Sequence, residues 1–117
     1  MGLKDLKRRL TASVEELDRV RLQDRYDGLD LTPIASAAMR EPVRIGGEVQ
    51  ALQVVPRAGS PSLEVTINDG SGRAVAIFTG RKRIAGLDPG RGILLEGVTR
   101  HERHRTVLVN PAYTLLP

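Results

Sequence analysis

The chain has 117 residues, of which 40% are hydrophobic and 27% are charged, and this size and composition predict a single soluble globular domain. It contains no cysteine and no apolar run near the ~18 residues of a membrane helix, which excludes a disulfide framework and a membrane-spanning segment. The first residues lack the apolar core of a signal peptide, so we expect a cytoplasmic protein.

The net charge of +4 is concentrated in one part of the chain. Residues 1–30 carry seven basic and seven acidic side chains, whereas residues 31–117 carry eleven basic and seven acidic ones. A basic region of this kind indicates a polyanionic partner. Arginine supplies fifteen of the 18 cations, however, and a GC-rich genome also produces that bias.

Residues 1–28 are predicted to form an N-terminal amphipathic helix. Ser13 and Glu16 have capping-box spacing, so this helix either runs unbroken or restarts at Ser13. Asp27-Gly28 ends it. Apolar residues recur at spacings of three or four, which places on one helix face Leu3, Leu6, Leu10, Val14, Leu17 and Val20.

Residues 29–42 are predicted to form a linker with two alternative conformations. Either Thr32-Pro33 caps a short helical turn that runs through Ala38, or Ile34 lies extended against the barrel that follows. Pro42 stops any helix at that point.

From Val43 onward the hydrophobic period changes to two, which predicts β-strands. Gly46-Gly47 is expected where the first strand bends. Five short strands with a helix between the third and the fourth are the arrangement of a five-stranded OB-fold Greek-key barrel, so residues 43–117 are predicted to be mainly β. The expected elements are strand 1 at 43–49, the loop 56–62, strand 2 at 63–67, the turn 68–72, strand 3 at 74–78, the helix 81–87, strand 4 at 93–99, the loop 100–105 and strand 5 at 106–110.

Several short segments carry a resemblance to a known family. In chain order they are Val-Arg-Ile-Gly-Gly-Glu-Val (43–49), Val-Thr-Ile-Asn-Asp-Gly-Ser-Gly (65–72), Ala-Ile-Phe (76–78), Leu-Asp-Pro-Gly (87–90), Leu-Glu-Gly-Val (95–98) and Val-Asn-Pro-Ala-Tyr (109–113). The chain resembles the anticodon-binding-like OB family, which includes the wedge domain of the RecG helicase, and most of all the small OB-fold proteins of actinobacteria. The resemblance covers roughly residues 43–116 and implies nucleic-acid binding, although OB folds also bind oligosaccharides and proteins.

The candidate interface follows from where OB folds bind. Their ligand crosses strands 2 and 3 between the loops that join strands 1–2 and 4–5. Both of these loops are basic here, and cationic side chains bind phosphates by releasing counterions. Charged loops are also common in proteins that bind no nucleic acid. The candidate nucleic-acid-binding residues are Arg57, Arg73, Phe78, Arg81, Lys82, Arg83, Arg100, Arg103 and Arg105.

Phe78 is the one candidate platform for base stacking, and it has two interpretations. If Val75 and Ile77 face inward, then Phe78 faces outward between small neighbours, where a base stacks on its ring. Alternatively, Phe78 closes the end of the core. The flanking alanines, Ala74 and Ala76, favour the exposed platform, because they fill a core layer poorly.

No catalytic or metal-binding arrangement is expected. His101 and His104 are three residues apart, whereas the two histidines of a helical zinc site are four apart, and no third ligand is evident. The sequence shows no nucleophile triad, no paired catalytic carboxylates and no phosphate-binding loop before a helix. We therefore expect a protein without enzymatic activity and without a cofactor.

Two functions remain as hypotheses. The first is a non-catalytic protein that contacts the phosphate backbone of single-stranded or structured DNA or RNA with little sequence specificity. The alternative is an adaptor whose N-terminal helix binds a protein partner or a second copy of the chain, while the barrel is structural. A membrane partner is not expected, because the helix has balanced charges and no aromatic anchors.

Overall fold

The computed structural model describes the backbone of residues 3–26 and 28–117, and the side chains of residues 13–26 and 28–117. Its first element is an unbroken α-helix, α1, from Leu3 to Tyr26, so the helix does not restart at Ser13. The side chains of Leu3, Leu6 and Leu10, half of the predicted stripe, lie outside the described residues.

Among residues 13–26 of α1, whose side chains the structure describes, those of the last turns pack against the rest of the protein. Leu22 and Tyr26 are buried there, whereas Val14 and Leu17 are 65% and 69% exposed. The side chain of Glu48 holds the helix in place, since it accepts hydrogen bonds from two guanidinium groups of α1, at 3.0 Å from Arg21 and 2.9 Å from Arg25. The more N-terminal part of the apolar stripe that the structure describes is therefore open to solvent.

Six strands follow α1, one more than the sequence predicted. They are β1 (Pro42–Arg57), β2 (Ser60–Asn68), β3 (Arg73–Thr79), β4 (Gly92–Glu102), β5 (Arg105–Val109) and β6 (Ala112–Leu115). The strands pair in the order β1-β2-β3-β5-β4-β6, and β4 also pairs with β1. The first five strands therefore form a closed cycle of pairings, with β3 and β5 parallel and every other pair antiparallel.

Strand β1 is long and pairs with two neighbouring strands, β4 and β2. Residues 42–48 pair with β4, and residues 48–57 pair with β2, with a register shift between Val49 and Ala51. Gly47 lies at this crossing, where a Cβ atom would come within 3.1 Å of the Asn68 backbone. The glycine pair therefore lies just before the point where β1 changes partner, and the register shift lies slightly further along the strand.

The linker packs against the sheet through a short 3-10 helix, Ile34–Ser36. The short helical turn is present but ends at Ser36 and has no side-chain cap, and Ile34 is buried in the main core as part of this turn and not as an extended segment. The Asp69 carboxylate fixes it, because it accepts hydrogen bonds from the Ile34 amide at 2.9 Å and from Ser71 and Gly72 in the β2–β3 turn.

The helix predicted at Arg81–Leu87 is wrong. Residues 80–91 are irregular, and Gly80 and Gly86 adopt positive φ angles of 73° and 80°. One hydrogen bond, from the Leu87 amide to the Ile84 carbonyl, is enough to bring both side chains into the core. A segment this short and bounded by glycines gains too few helical hydrogen bonds to offset the cost of helix nucleation.

Candidate nucleic-acid interface

Two hairpin tips lie near one side of the sheet. The β1–β2 hairpin turns at Ala58-Gly59 and the β4–β5 hairpin turns at Arg103-His104, and all four of these residues have positive φ. This is the backbone conformation that two-residue hairpin turns need to match the twist of their strands. The predicted loops 56–62 and 100–105 are therefore mostly strand, and only their centres are turns.

We call the side of β2, β3 and β5 that faces away from the main core the outer face. Glu64 and Thr66 of β2 lie on it, because they alternate with core residues. Val75 and Ile77 of β3 and Val107 of β5 form a second, smaller apolar cluster on this side. Their exposed fractions are only 6%, 0% and 0%, so other groups cover this cluster.

Four charged side chains join the hairpins over the outer face, and we call them the clasp: Arg57, Glu64, Glu102 and Arg105. Arg57 donates two hydrogen bonds to the Glu102 carboxylate, at 2.7 and 2.8 Å. Arg105 donates one to Glu64 at 2.8 Å and lies 4.0 Å from Glu102. The paired geometry of the first contact is the strongest that arginine and a carboxylate form.

The clasp changes the electrostatics of its own groups. Hydrogen bonding from Arg57 lowers the pKa of Glu102 to about 2, and the positive charges of Arg57, Arg100 and Arg105 act in the same direction. The same contact raises the pKa of Arg57. Both side chains retain about a quarter of their exposure, 29% for Arg57 and 26% for Glu102, so solvent weakens their interaction.

We expect Glu102 to contribute to stability in a pH-dependent way. Its pKa is depressed in the folded protein, so its contribution is complete above the ordinary value of 4.5 and is lost as the pH falls toward 2. Wild type should exceed Glu102→Gln in free energy of unfolding by up to about 1 kcal/mol at neutral pH, because the pair is partly open to solvent. Near pH 2 the difference should vanish. Chemical denaturation of both proteins at each pH measures this difference in free energy. A difference that persists near pH 2 would contradict a stabilising role for the Glu102 carboxylate.

The structure brings some of the predicted cations together and separates others. Arg57 and Arg105 belong to the clasp, Arg100 lies 3.3 Å from Glu102, and Arg103 is in the β4–β5 turn. Arg73 begins β3 and lines a small cleft on the outer face with Thr66, Val75, His104, Arg105 and Thr106. Residues 81–83 follow the other end of β3, a strand of seven residues that spans about 20 Å.

The preferred interpretation of Phe78 is wrong. The alternation along β3 was predicted correctly, but Ala74, Ala76 and Phe78 face the core, and Phe78 is only 4% exposed. Its ring packs edge-on against Tyr113 of β6, with 5.5 Å between ring centroids. All three aromatic residues of the chain are in its described part, and none lines the outer face. Aromatic base stacking is therefore not available there.

The sequence reasoning missed the two glutamates of the clasp. Glu64 alternates with buried residues of β2, which was a signal that it shares a face with the ligand-facing side of that strand. Glu102 stands inside a run of cations, which was a signal for an ion pair. Together they place two carboxylates among four arginines, Arg57, Arg73, Arg100 and Arg105, with Arg103 in the adjoining β4–β5 turn.

Metal ligands are not grouped in the described part of the chain. Across residues 13–26 and 28–117, no group of three or more His, Asp or Glu side chains is placed to hold a metal ion. The described helices include none that is long and apolar enough to cross a membrane.

No family model matches the chain, and no curated protein sequence matches it. Solved structures do match. The S. pombe Stn1-Ten1 complex gives a TM-score of 0.53 at 20% identity over 64% of this chain and 57% of that chain. A Replication Protein A heterotrimer bound to ssDNA gives a TM-score of 0.52 at 10% identity, over 72% of this chain and 63% of that chain. The structure of yeast Stn1 and Ten1 gives a TM-score of 0.52 at 13% identity, over 65% of this chain and 43% of that chain.

The chain thus spans 43% to 63% of the length of these structures. At such low identities the likeness is one of fold alone. Replication Protein A is built from OB folds. The cyclic pairing of β1, β2, β3, β5 and β4 and this structural likeness lead to one conclusion, which is that the chain has an OB-like fold.

Proposed function

We propose that this protein binds nucleic acid without catalysing a reaction, through contacts to the phosphate backbone across the outer face. The observation that carries the proposal is the set of four arginines around this face, with Arg103 in the turn beside it, against two glutamates. An excess of positive charge beside a hairpin-flanked surface favours a polyanion.

The comparison with Replication Protein A supports the same function. That protein is a heterotrimer bound to ssDNA, and the likeness covers 72% of this chain. The resemblance of residues 43–116 to the anticodon-binding-like OB family points the same way. On this basis we propose a five-stranded OB-type barrel, extended by β6, as the ligand-binding unit.

The outer face determines how the ligand is held. Since no aromatic ring lies there, affinity comes from phosphate contacts and from guanidinium planes on which bases stack. Such contacts read little sequence, because every base has a stacking face and every nucleotide a phosphate. The ligand is therefore single-stranded or structured DNA or RNA, bound with low sequence specificity.

The ion pairs of the clasp must break when the ligand binds. Glu64 and Glu102 occupy the guanidinium groups of Arg105 and Arg57, which phosphates need. Phosphate oxygens accept hydrogen bonds from arginine as carboxylates do, so a backbone phosphate can take over the bonds that each arginine donates, while the displaced glutamate loses its partner. The glutamates thus set the affinity by competing for the arginines.

Titration with fluorescent oligonucleotides tests the function. Single-stranded DNA, duplex DNA and RNA are each titrated with wild type at about 50 and about 200 mM salt, and we expect binding that weakens at least tenfold at the higher concentration. Glu64→Gln/Glu102→Gln should bind about tenfold more tightly than wild type, because two arginines are released for phosphates. Absent or salt-insensitive binding by wild type would overturn the proposal.

A second candidate function is an adaptor that uses α1. Val14 and Leu17 favour it, since large apolar residues exposed to 65% and 69% on one helix face are typical of a docking surface. The S. pombe Stn1-Ten1 structure, which has a similar fold, is a complex of two proteins. The titration separates the two functions, because an adaptor with a structural barrel has no reason to bind oligonucleotides in a salt-dependent way.

A further inference from the structure

A second groove continues the outer face onto β4. It has a volume of about 780 Å³, within the ~300–1,000 Å³ range of ligand clefts. Its lining comes from three places, the segment before β1, the middle of β4 and the end of β5, and includes Met39, Arg40, Val98, Arg100, His101 and Val109. Val109 also packs against the apolar cluster beneath the clasp, so the two surfaces adjoin.

The wall of this groove is held in a fixed shape. The Arg40 amide donates a hydrogen bond to the Thr99 carbonyl at 2.7 Å, and the Thr99 hydroxyl donates one to the Ala38 carbonyl at 2.7 Å. These bonds keep Arg40 at a φ of 62°, a conformation that is unfavourable for residues other than glycine. Strained residues held in this way gather at functional sites.

The floor of the groove is apolar and open to solvent. Val98 is 51% exposed, one of the most exposed large apolar side chains of the described strands, and Met39 and Val109 are half-buried beside it. The one hydroxyl in the lining, that of Thr99, already donates to a carbonyl. The floor therefore offers contact area to a flat apolar group without selecting particular hydrogen-bonding partners.

The rim of the groove is cationic. Arg40 and Arg100 supply this charge, and both side chains are exposed, as is that of His101; no carboxylate belongs to the lining. Arg100 lies 3.3 Å from Glu102 of the clasp, whereas Arg40 forms no ion pair with the residues that the structure describes. An exposed apolar floor beside these two guanidinium groups matches a nucleotide, whose base is apolar on its faces and whose phosphate is anionic.

We propose that this groove holds a nucleotide of a single strand that continues from the outer face, with its base on Met39, Val98 and Val109 and its phosphate on Arg40 and Arg100. The inference rests on the proposed function and adds a site to it. Because the floor lacks free hydrogen-bonding groups, the groove accepts any base and requires an unpaired one. It therefore gives single strands an advantage over duplexes.

The chain provides a matched pair of variants for the test. Val98 and Val54 are exposed to 51% and 49%, both on strands, but only Val98 lines the groove. Val98→Asp should weaken binding of an oligothymidylate of about 15 nucleotides by about fivefold or more, whereas Val54→Asp should change it by less than about twofold. Arg40→Ala should weaken it more than Arg19→Ala, which removes the same charge from α1.

The NMR signal of the Met39 methyl group reports directly on binding in the groove. The chain has two methionines, Met1 and Met39, so methyl-labelled protein gives two NMR signals. The Met39 signal should shift on addition of the oligothymidylate in wild type and in Val54→Asp, and should shift far less in Val98→Asp. Circular dichroism verifies that each variant is folded.

The outcomes separate the two proposals. If wild type fails to bind the oligothymidylate at low salt, the proposed function is wrong. If wild type binds, but Val98→Asp binds equally well and the Met39 signal does not move, the function stands and the groove is not part of the site.

Discussion

Replacing Phe78 with alanine is expected to lower the free energy of unfolding by about 3–5 kcal/mol and to leave nucleic-acid affinity of the folded protein unchanged. The ring is 4% exposed, belongs to the main core cluster and packs edge-on against Tyr113, so its removal leaves a cavity. Affinity should not change, because the ring lies on the side of β3 opposite the outer face.

Chemical denaturation and oligonucleotide titration of the same Phe78→Ala protein measure both effects. Phe78→Leu keeps much of the buried volume and should lose less than about half as much stability. Val54→Ala, at an exposed position, should lose less than about 0.5 kcal/mol. A stable Phe78→Ala protein with weakened single-strand binding would instead support a stacking platform at this position.

Replacing Arg73 and Arg103 together is expected to weaken nucleic-acid binding by about tenfold and to leave the fold intact. Each lost phosphate contact lowers the slope of log affinity against log salt by about 0.7 for single strands, so the double variant should lose about 1.4. Stability should hold, because both side chains are exposed and neither forms an ion pair with the residues that the structure describes.

The salt dependence decides between a specific contact and a general effect of net charge. Arg44→Ala removes one charge from the β1–β4 side of the sheet, where Arg44 pairs with Glu96, and serves as the control for each single variant. Arg73→Ala and Arg103→Ala should each reduce the slope more than Arg44→Ala does. Equal slopes in all three variants would remove both arginines from the interface.

The clasp explains why Arg73 and Arg103 are better choices for this test than Arg100 and Arg105. From the sequence alone, Arg100, Arg103 and Arg105 are equivalent candidates for phosphate binding. In the folded protein Arg100 and Arg105 already bind carboxylates, and Arg105→Ala would leave Glu64, whose side chain is only 12% exposed, without its partner. Such a variant mixes a loss of stability with a loss of binding.

The sequence by itself determined the order and type of most elements. The period-two pattern after Pro42, the Asp69–Gly72 turn and the helix up to Tyr26 depend on neighbouring residues, and the structure contains them all. These features are local, so sequence patterns predict them well.

Only the tertiary structure decided which face of β3 is inside. All five residues from Ala74 to Phe78 are buried, and alternation fixes that neighbours point to opposite sides without saying which side is the core. The clasp, formed by residues up to 45 positions apart, buries the outer side as well. Arg57 meets Glu102 only because two hairpins curve toward each other across the sheet. This curvature arises from the pairing of all the strands, so no local segment of the sequence determines it.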